Sequence, residues 1–223
     1  MNNRSFTLLA LLSANDRFGQ PEVHRTSLVK QAFLAEIIRP LYCIWLQTFN
    51  FVRYNYGPYS DDFFHRLDTL IFSGLAEVTS YKRRGWKTEA RYRITEAGHL
   101  ALEQFKSSEI ISLASDLVWG LQSLGVEHAS TICKLVYQEA EFARIFAQHN
   151  EQGIGPETKV RLPSVTAANN NTFITLASLQ ELRCQPGSNN SAERFPSREI
   201  VRMFLLSLSL QVPGVNKTRE ATA

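Results

Sequence analysis

Cysteine is scarce in this sequence and poorly placed for chemistry. Cys43, Cys133 and Cys184 are odd in number and far apart, with no Cys-x-x-Cys or Cys/His ligand spacing. They support neither a disulfide framework nor a zinc site, and a reducing cytoplasm suits them best. Long apolar runs are missing too: nothing approaches the ~20 residues needed to span a bilayer, so no membrane partner is expected. The apolar stretch 4–14 sits at the lower limit for a signal-peptide core, with Leu12 ahead of an Ala14 cleavage point. It reads as a first helix packing on the domain that follows. A strong charge of one sign is also lacking. At +3 over 223 residues no global nucleic-acid footprint is announced, and any such surface must be local.

The signatures of catalysis are equally thin. Gly153-Ile154-Gly155-Pro156-Glu157-Thr158-Lys159 lacks the spacing of a phosphate-binding loop and has no strand before it, so it reads as a connector. His24, His65, His99, His128 and His149 are scattered, without the i, i+4 spacing of a helical metal pair, and no Ser or Cys sits in a nucleophile elbow. Adjacent Asp61 and Asp62 are accounted for by a helix N-terminus. The chain is therefore read as a non-enzyme, with no catalytic residue, metal site or cofactor.

What is present is an ordered succession of elements between residues 25 and 105. Ser60 can cap a helix, Asp61 and Asp62 suit its positive end, and Phe63, Phe64, Leu67, Leu70 and Ile71 recur at helical spacing. Gly74 can take the left-handed position that stops it. The period then changes to short β-prone runs at 75–81 and 90–94, joined by the polar stretch 82–89 as a hairpin. Thr95 caps a further helix over 96–105. Upstream, an apolar segment from Leu28 to Ile38 has helical spacing and is ended by Pro40, and residues 49–54 alternate well enough for a short strand that can pair with the hairpin.

This order and spacing resemble a winged helix-turn-helix domain. Ile94-Thr95-Glu96-Ala97-Gly98 is similar to the T-x-x-G that follows the wing in MarR- and PadR-like proteins. Arg25-Thr26-Ser27-Leu28-Val29-Lys30-Gln31-Ala32-Phe33-Leu34 resembles the first helix of small winged-helix proteins of the YwgA-like and Panacea-antitoxin-like kind. Those proteins also carry a turn like Tyr54-Asn55-Tyr56-Gly57-Pro58-Tyr59-Ser60. A related pattern, together with residues 132–150, resembles the middle component of ABC-three-component defence systems, of which Lamassu is one. That resemblance implies an accessory subunit accompanying an SMC-like ABC ATPase and an effector, often a nuclease.

The expected fold is mainly α with a small β wing. A helical segment (1–24) precedes the winged helix-turn-helix domain (25–105), followed by a helical extension (106–212) and a loose tail (213–223). The candidate DNA-binding residues are those of the wing: Lys82, Arg83, Arg84, Trp86, Lys87, Arg91 and Arg93, where Arg and Lys can neutralise phosphates and Trp86 can stack or wedge. A solvated hairpin tip is the alternative. The face of the 61–73 helix left exposed would be Asp61, Asp62, His65, Arg66 and Thr69, acidic at the end that normally enters a groove. Asp62, His65, Arg66 and Thr69 are therefore assigned to a protein partner.

Beyond the hairpin, Ile110, Leu113, Ala114, Leu117, Leu121 and Leu124 form a heptad-like seam that serves either an internal core or a partner, a homodimer included. A helix over 127–148 follows, with Ile132, Leu135, Val136, Phe142, Ala143 and Phe146 inward. Residues 150–164 read as a connector, 172–182 as a short helix and 184–196 as a loop. A last helix after Ser197 has almost no polar face and must be covered on most sides. Leu117, Leu121, Phe204 and Leu208 are the candidate docking residues of this extension. The expected function is an accessory subunit docking on a partner ATPase or effector, with DNA contact through the wing. A transcriptional regulator or antitoxin is the alternative.

Overall fold

The computed structural model describes residues 3–42, 44, 49–54, 57–84, 87–104, 109–126, 128–138, 160–161 and 197–210. In chain order these form α1 (Asn3–Arg17), β1 (Val23–His24), α2 (Arg25–Ile38) with a 3-10 turn at Arg39–Tyr42, β2 (Val52–Tyr54), β3 (Gly57–Tyr59) and α3 (Asp61–Phe72). They continue as β4 (Ala76–Arg84), β5 (Lys87–Ile94), α4 (Glu96–Glu103), α5 (Glu109–Ser123), α6 (Ala129–Gln138), β6 (Val160–Arg161) and α7 (Ser197–Leu210). The protein is mainly helical with small antiparallel sheets. One sheet runs β1-β5-β4 and the other β3-β2-β6. Among the described residues no helix is long and apolar enough to cross a membrane.

The N-terminal segment lies at the centre rather than at the side. Every residue of α1 from Ser5 to Asn15 is buried, because the helix is covered by α5, α3, β5, α2 and α4 at once. A helix enclosed on all sides carries polar groups only if they find partners inside. Asn15 and Gln31 meet that condition with a reciprocal amide pair: Asn15 Nδ2 donates to Gln31 Oε1 at 2.9 Å, and Gln31 Nε2 donates back to Asn15 Oδ1 at 3.1 Å. This pair pins α1 to α2.

α2 ends in the 3-10 turn that contains Pro40. The chain beyond it is held by a buried ion pair, Arg39 Nε to Glu36 Oε2 at 3.0 Å, whose other oxygen accepts from Phe49 N at 2.8 Å. Phe49 then enters a file of edge-to-face rings, Phe33–Phe51, Phe51–Phe49 and Phe49–Phe63, that joins α2 to α3.

Three local expectations are corrected here. The strand from 49–54 is shorter, and it pairs with β3 and β6 and not with the β4–β5 hairpin. Its nearest mate in sequence, Gly57–Tyr59, closes a very short loop at little entropic cost, so the expected turn at 57–59 is itself a strand. The third strand of the hairpin sheet comes instead from Val23 and His24, opposite Tyr92 and Arg91. Within the expected connector, Val160 and Arg161 are a strand. The inward Phe142, Ala143 and Phe146, the helix at 172–182, the loop at 184–196, the tail at 213–223, Cys43 and Cys184 lie outside the described residues.

Caps and stops fall where the residue types call for them. Ser60 Oγ accepts from Phe63 N at 3.3 Å at the start of α3, and Gly74, with φ of 71°, turns the chain out of it. Thr95 Oγ1 accepts from Gly98 N at 3.1 Å and donates to the Gly74 carbonyl at 2.6 Å. One hydroxyl thus caps α4 and ties it to the end of α3. A Cβ on Gly98 would overlap the Leu75 carbonyl oxygen. The Thr-x-x-Gly spacing therefore has a physical reason: a cap, then a residue without a side chain where α4 crosses the start of the hairpin.

Candidate nucleic-acid interface

The β4–β5 hairpin is longer than its apolar residues suggest. Pairing runs from Ala76↔Ile94 through Lys82↔Glu89 and Arg83↔Thr88 to Arg84↔Lys87, with a bulge between Val78 and Ser80. Most of the basic stretch expected as a loop is therefore strand. Opposed Lys82 and Glu89 explain this in part, since opposite charges across an antiparallel pair support the ladder.

Strand alternation divides the hairpin into two faces. One carries Ala76, Ala90, Tyr92 and Ile94, all buried, together with Val78 and Tyr81, which are exposed. Arg83, two residues on from Tyr81, shares that face by register. The other carries Glu77, Lys82, Glu89, Arg91 and Arg93, where carboxylates accompany the cations. Arg93 Nε donates to Glu77 Oε1 at 2.7 Å, which raises the Arg93 pKa further through this hydrogen bond and the charge of Glu77. Arg91 Nη1 lies 3.6 Å from Glu22 Oε2. Burial, aided by the Arg91 charge, lowers the pKa of His24, and Glu89 opposes the shift. Lys82, Arg83, Arg91 and Arg93 are thus exposed together on one hairpin, with Arg91 and Arg93 partly neutralised. Arg84 and Lys87 are placed by strand pairing alone, and Trp86 lies outside the described residues.

The neighbouring face of α3 is tied down at its acidic end. Asp62 pairs with Arg4 of α1 and, at 3.7 Å, with Arg66, while Tyr59 Oη donates to Asp61 Oδ1 at 2.9 Å. Of the four α3 residues assigned to a partner, His65 and Thr69 are exposed, whereas Asp62 and Arg66 are engaged within the chain. Arg25 lies over the Phe64 ring, 4.2 Å from its centroid, between α2 and α3. Burial raises the pKa of Tyr92; Arg25 opposes that shift, and Asp68 and Tyr81 add to it.

The four docking residues of the extension are corrected. Leu117, Leu121, Phe204 and Leu208 are all buried, because α5 and α7 pack on each other. Gly120 allows the close approach: a Cβ there would lie 2.8 Å from Leu205 Cδ1. Asp116 fastens the same junction, accepting from Tyr42 Oη at 2.7 Å and facing Arg198 Nε at 3.8 Å, with Arg198 stacked over Trp119. The two apolar stripes expected to seek a partner are each other's partner.

Phe72 escaped the sequence reading. It lies nine residues after Phe63, about two and a half helical turns, so it points away from the buried stripe and is 91% exposed. A helical wheel would have exposed this one aromatic in the middle of a polar face. No protein-family model matches the chain, and comparison with curated proteins gives no match.

Proposed function

We propose that this chain is a winged-helix protein that binds nucleic acid through the phosphate backbone, with the β4–β5 hairpin as its wing. The element order supports it: a helix, a short strand, two further helices and a hairpin whose second strand pairs with that short strand. The extended connection between α2 and α3, which holds its own hairpin, departs from a tight helix-turn-helix. The single observation that carries the functional reading is the exposure of Lys82, Arg83, Arg91 and Arg93 together on the projecting hairpin.

Binding of this kind is salt-sensitive and largely blind to sequence, since phosphate contacts carry no base information. The acidic start of α3 favours it over operator reading, as carboxylates there repel phosphate and base acceptors. Neutralising Lys82, Arg83, Arg84 and Lys87 together should flatten the dependence of affinity on salt. Tight binding to one duplex sequence that survives this change would support a transcriptional regulator or antitoxin instead. The accessory-subunit reading, with an SMC-like ATPase and a nuclease as partners, is supported by the exposed His65 and Thr69, the acidic start of α3 and the modest net charge, and not by Leu117, Leu121, Phe204 and Leu208, which are buried.

A further inference from the structure

We propose that a cleft between α1, α4 and α5 binds a free α-amino acid with an apolar side chain. The site is independent of the hairpin and of the nucleic-acid reading. Its volume is about 380 Å³, within the ~300–1,000 Å³ usual for small-molecule sites. Each of the three helices contributes one stripe. Ala10, Ala14 and Arg17 follow one another on α1 at steps of four and three residues, so they lie on one face. The first two are small, and α1 therefore leaves room where α4 and α5 pack on it. Leu102 of α4 and Ile111 at the start of α5 add the other apolar walls.

The charged groups of the lining select the ligand. Arg17, the last residue of α1, is exposed and has no ion pair among the described residues. The acid beside it in sequence, Asp16, is occupied by His99, whose Nε2 lies 3.1 Å from Asp16 Oδ2. Glu103 lines the same cleft one helical turn beyond His99. It is already engaged once, but a carboxylate has about four acceptor sites and takes more than one donor. A simple carboxylic acid would gain Arg17 and meet Glu103 as a like charge; a simple amine would gain Glu103 and meet Arg17. A zwitterion satisfies both. An α-amino acid carries its carboxylate and ammonium on one carbon, within reach of two long side chains from neighbouring helices, and sets its side chain over Ala10, Ala14, Leu102 and Ile111. The hydroxyls of Ser13 and Ser115, also in the lining, donate or accept as the remaining ligand atoms require.

The test titrates the full chain by calorimetry with L-leucine and L-phenylalanine. Three controls each remove one feature of leucine: isocaproate lacks the ammonium, isoamylamine lacks the carboxylate and glycine lacks the apolar body. Each control should bind about tenfold or more weakly than leucine. Arg17→Gln and Glu103→Gln should each weaken leucine by about tenfold to a hundredfold. In Arg17→Gln the preference for leucine over isoamylamine should disappear, because the carboxylate has lost its partner. Arg17 and Glu103 are exposed, so unchanged thermal midpoints will show that the variants fold, and the ligand series on the wild type tests the assignment without them. No binding of either amino acid at millimolar concentration, isocaproate binding as tightly as leucine, or folded variants that bind like wild type would each overturn it.

Discussion

The hairpin region and the α5–α7 region carry the same kind of signal in sequence and opposite outcomes in space. Each shows side chains in excess of what its own element can satisfy: cations and aromatics in one, apolar residues nearly all round in the other. In α5 and α7 the excess disappears, because two stripes of similar length meet across Gly120 and bury Leu117, Leu121, Phe204 and Leu208 together. On the hairpin the excess persists: Tyr81 and Lys82 stay exposed although β5 pairs opposite them at Ala90 and Glu89. Apolar faces of one chain can cover each other with a gain in free energy, whereas a cation loses hydration on burial and stays at the surface unless a partner is built for it.

The comparison can be broken most strongly at the α5–α7 junction. Phe204→Ala should cost about 3–5 kcal/mol in denaturant titration, as expected for a buried ring whose cavity does not fully collapse. A loss below about half a kcal/mol would mean that α7 is free, and the docking reading would return. Leu67→Ala, on the buried side of α3, should cost about 2–5 kcal/mol by the same mechanism.

Lys30 sharpens the contrast between buried and exposed cations. It is buried and donates to the Pro58 carbonyl at 3.0 Å, and burial lowers its pKa to about 8. Between pH 8 and the unfolded value of 10.5 the unfolded chain holds the proton that the folded chain has released, so folding stability rises with pH across that window. Relative to Lys30→Met, the wild type should gain about 3 kcal/mol from pH 7.5 to pH 10.5. A stability difference that stays constant over this range would show that the ammonium is not desolvated. The smallest effect belongs to Phe72→Ala, which should change stability by less than about half a kcal/mol because no packing is lost. A larger loss would place that ring in the core.

The amino-acid sequence by itself determined the elements whose signals are local. Ser60, Gly74 and Thr95 mark helix ends because capping and left-handed turns depend on a few consecutive residues. The stripe of Phe63, Leu67 and Leu70 marks a buried face because helical period is a property of one segment. Only the tertiary structure decided which segments meet. The pairing of Val23 and His24 with β5, the enclosure of α1, the match of α5 with α7 and the seat of Arg25 over Phe64 join residues far apart in the chain. Such pairings are chosen by competition among apolar faces of nearly equal affinity. That competition turns on shape and chain connectivity, and no single stretch of sequence records it.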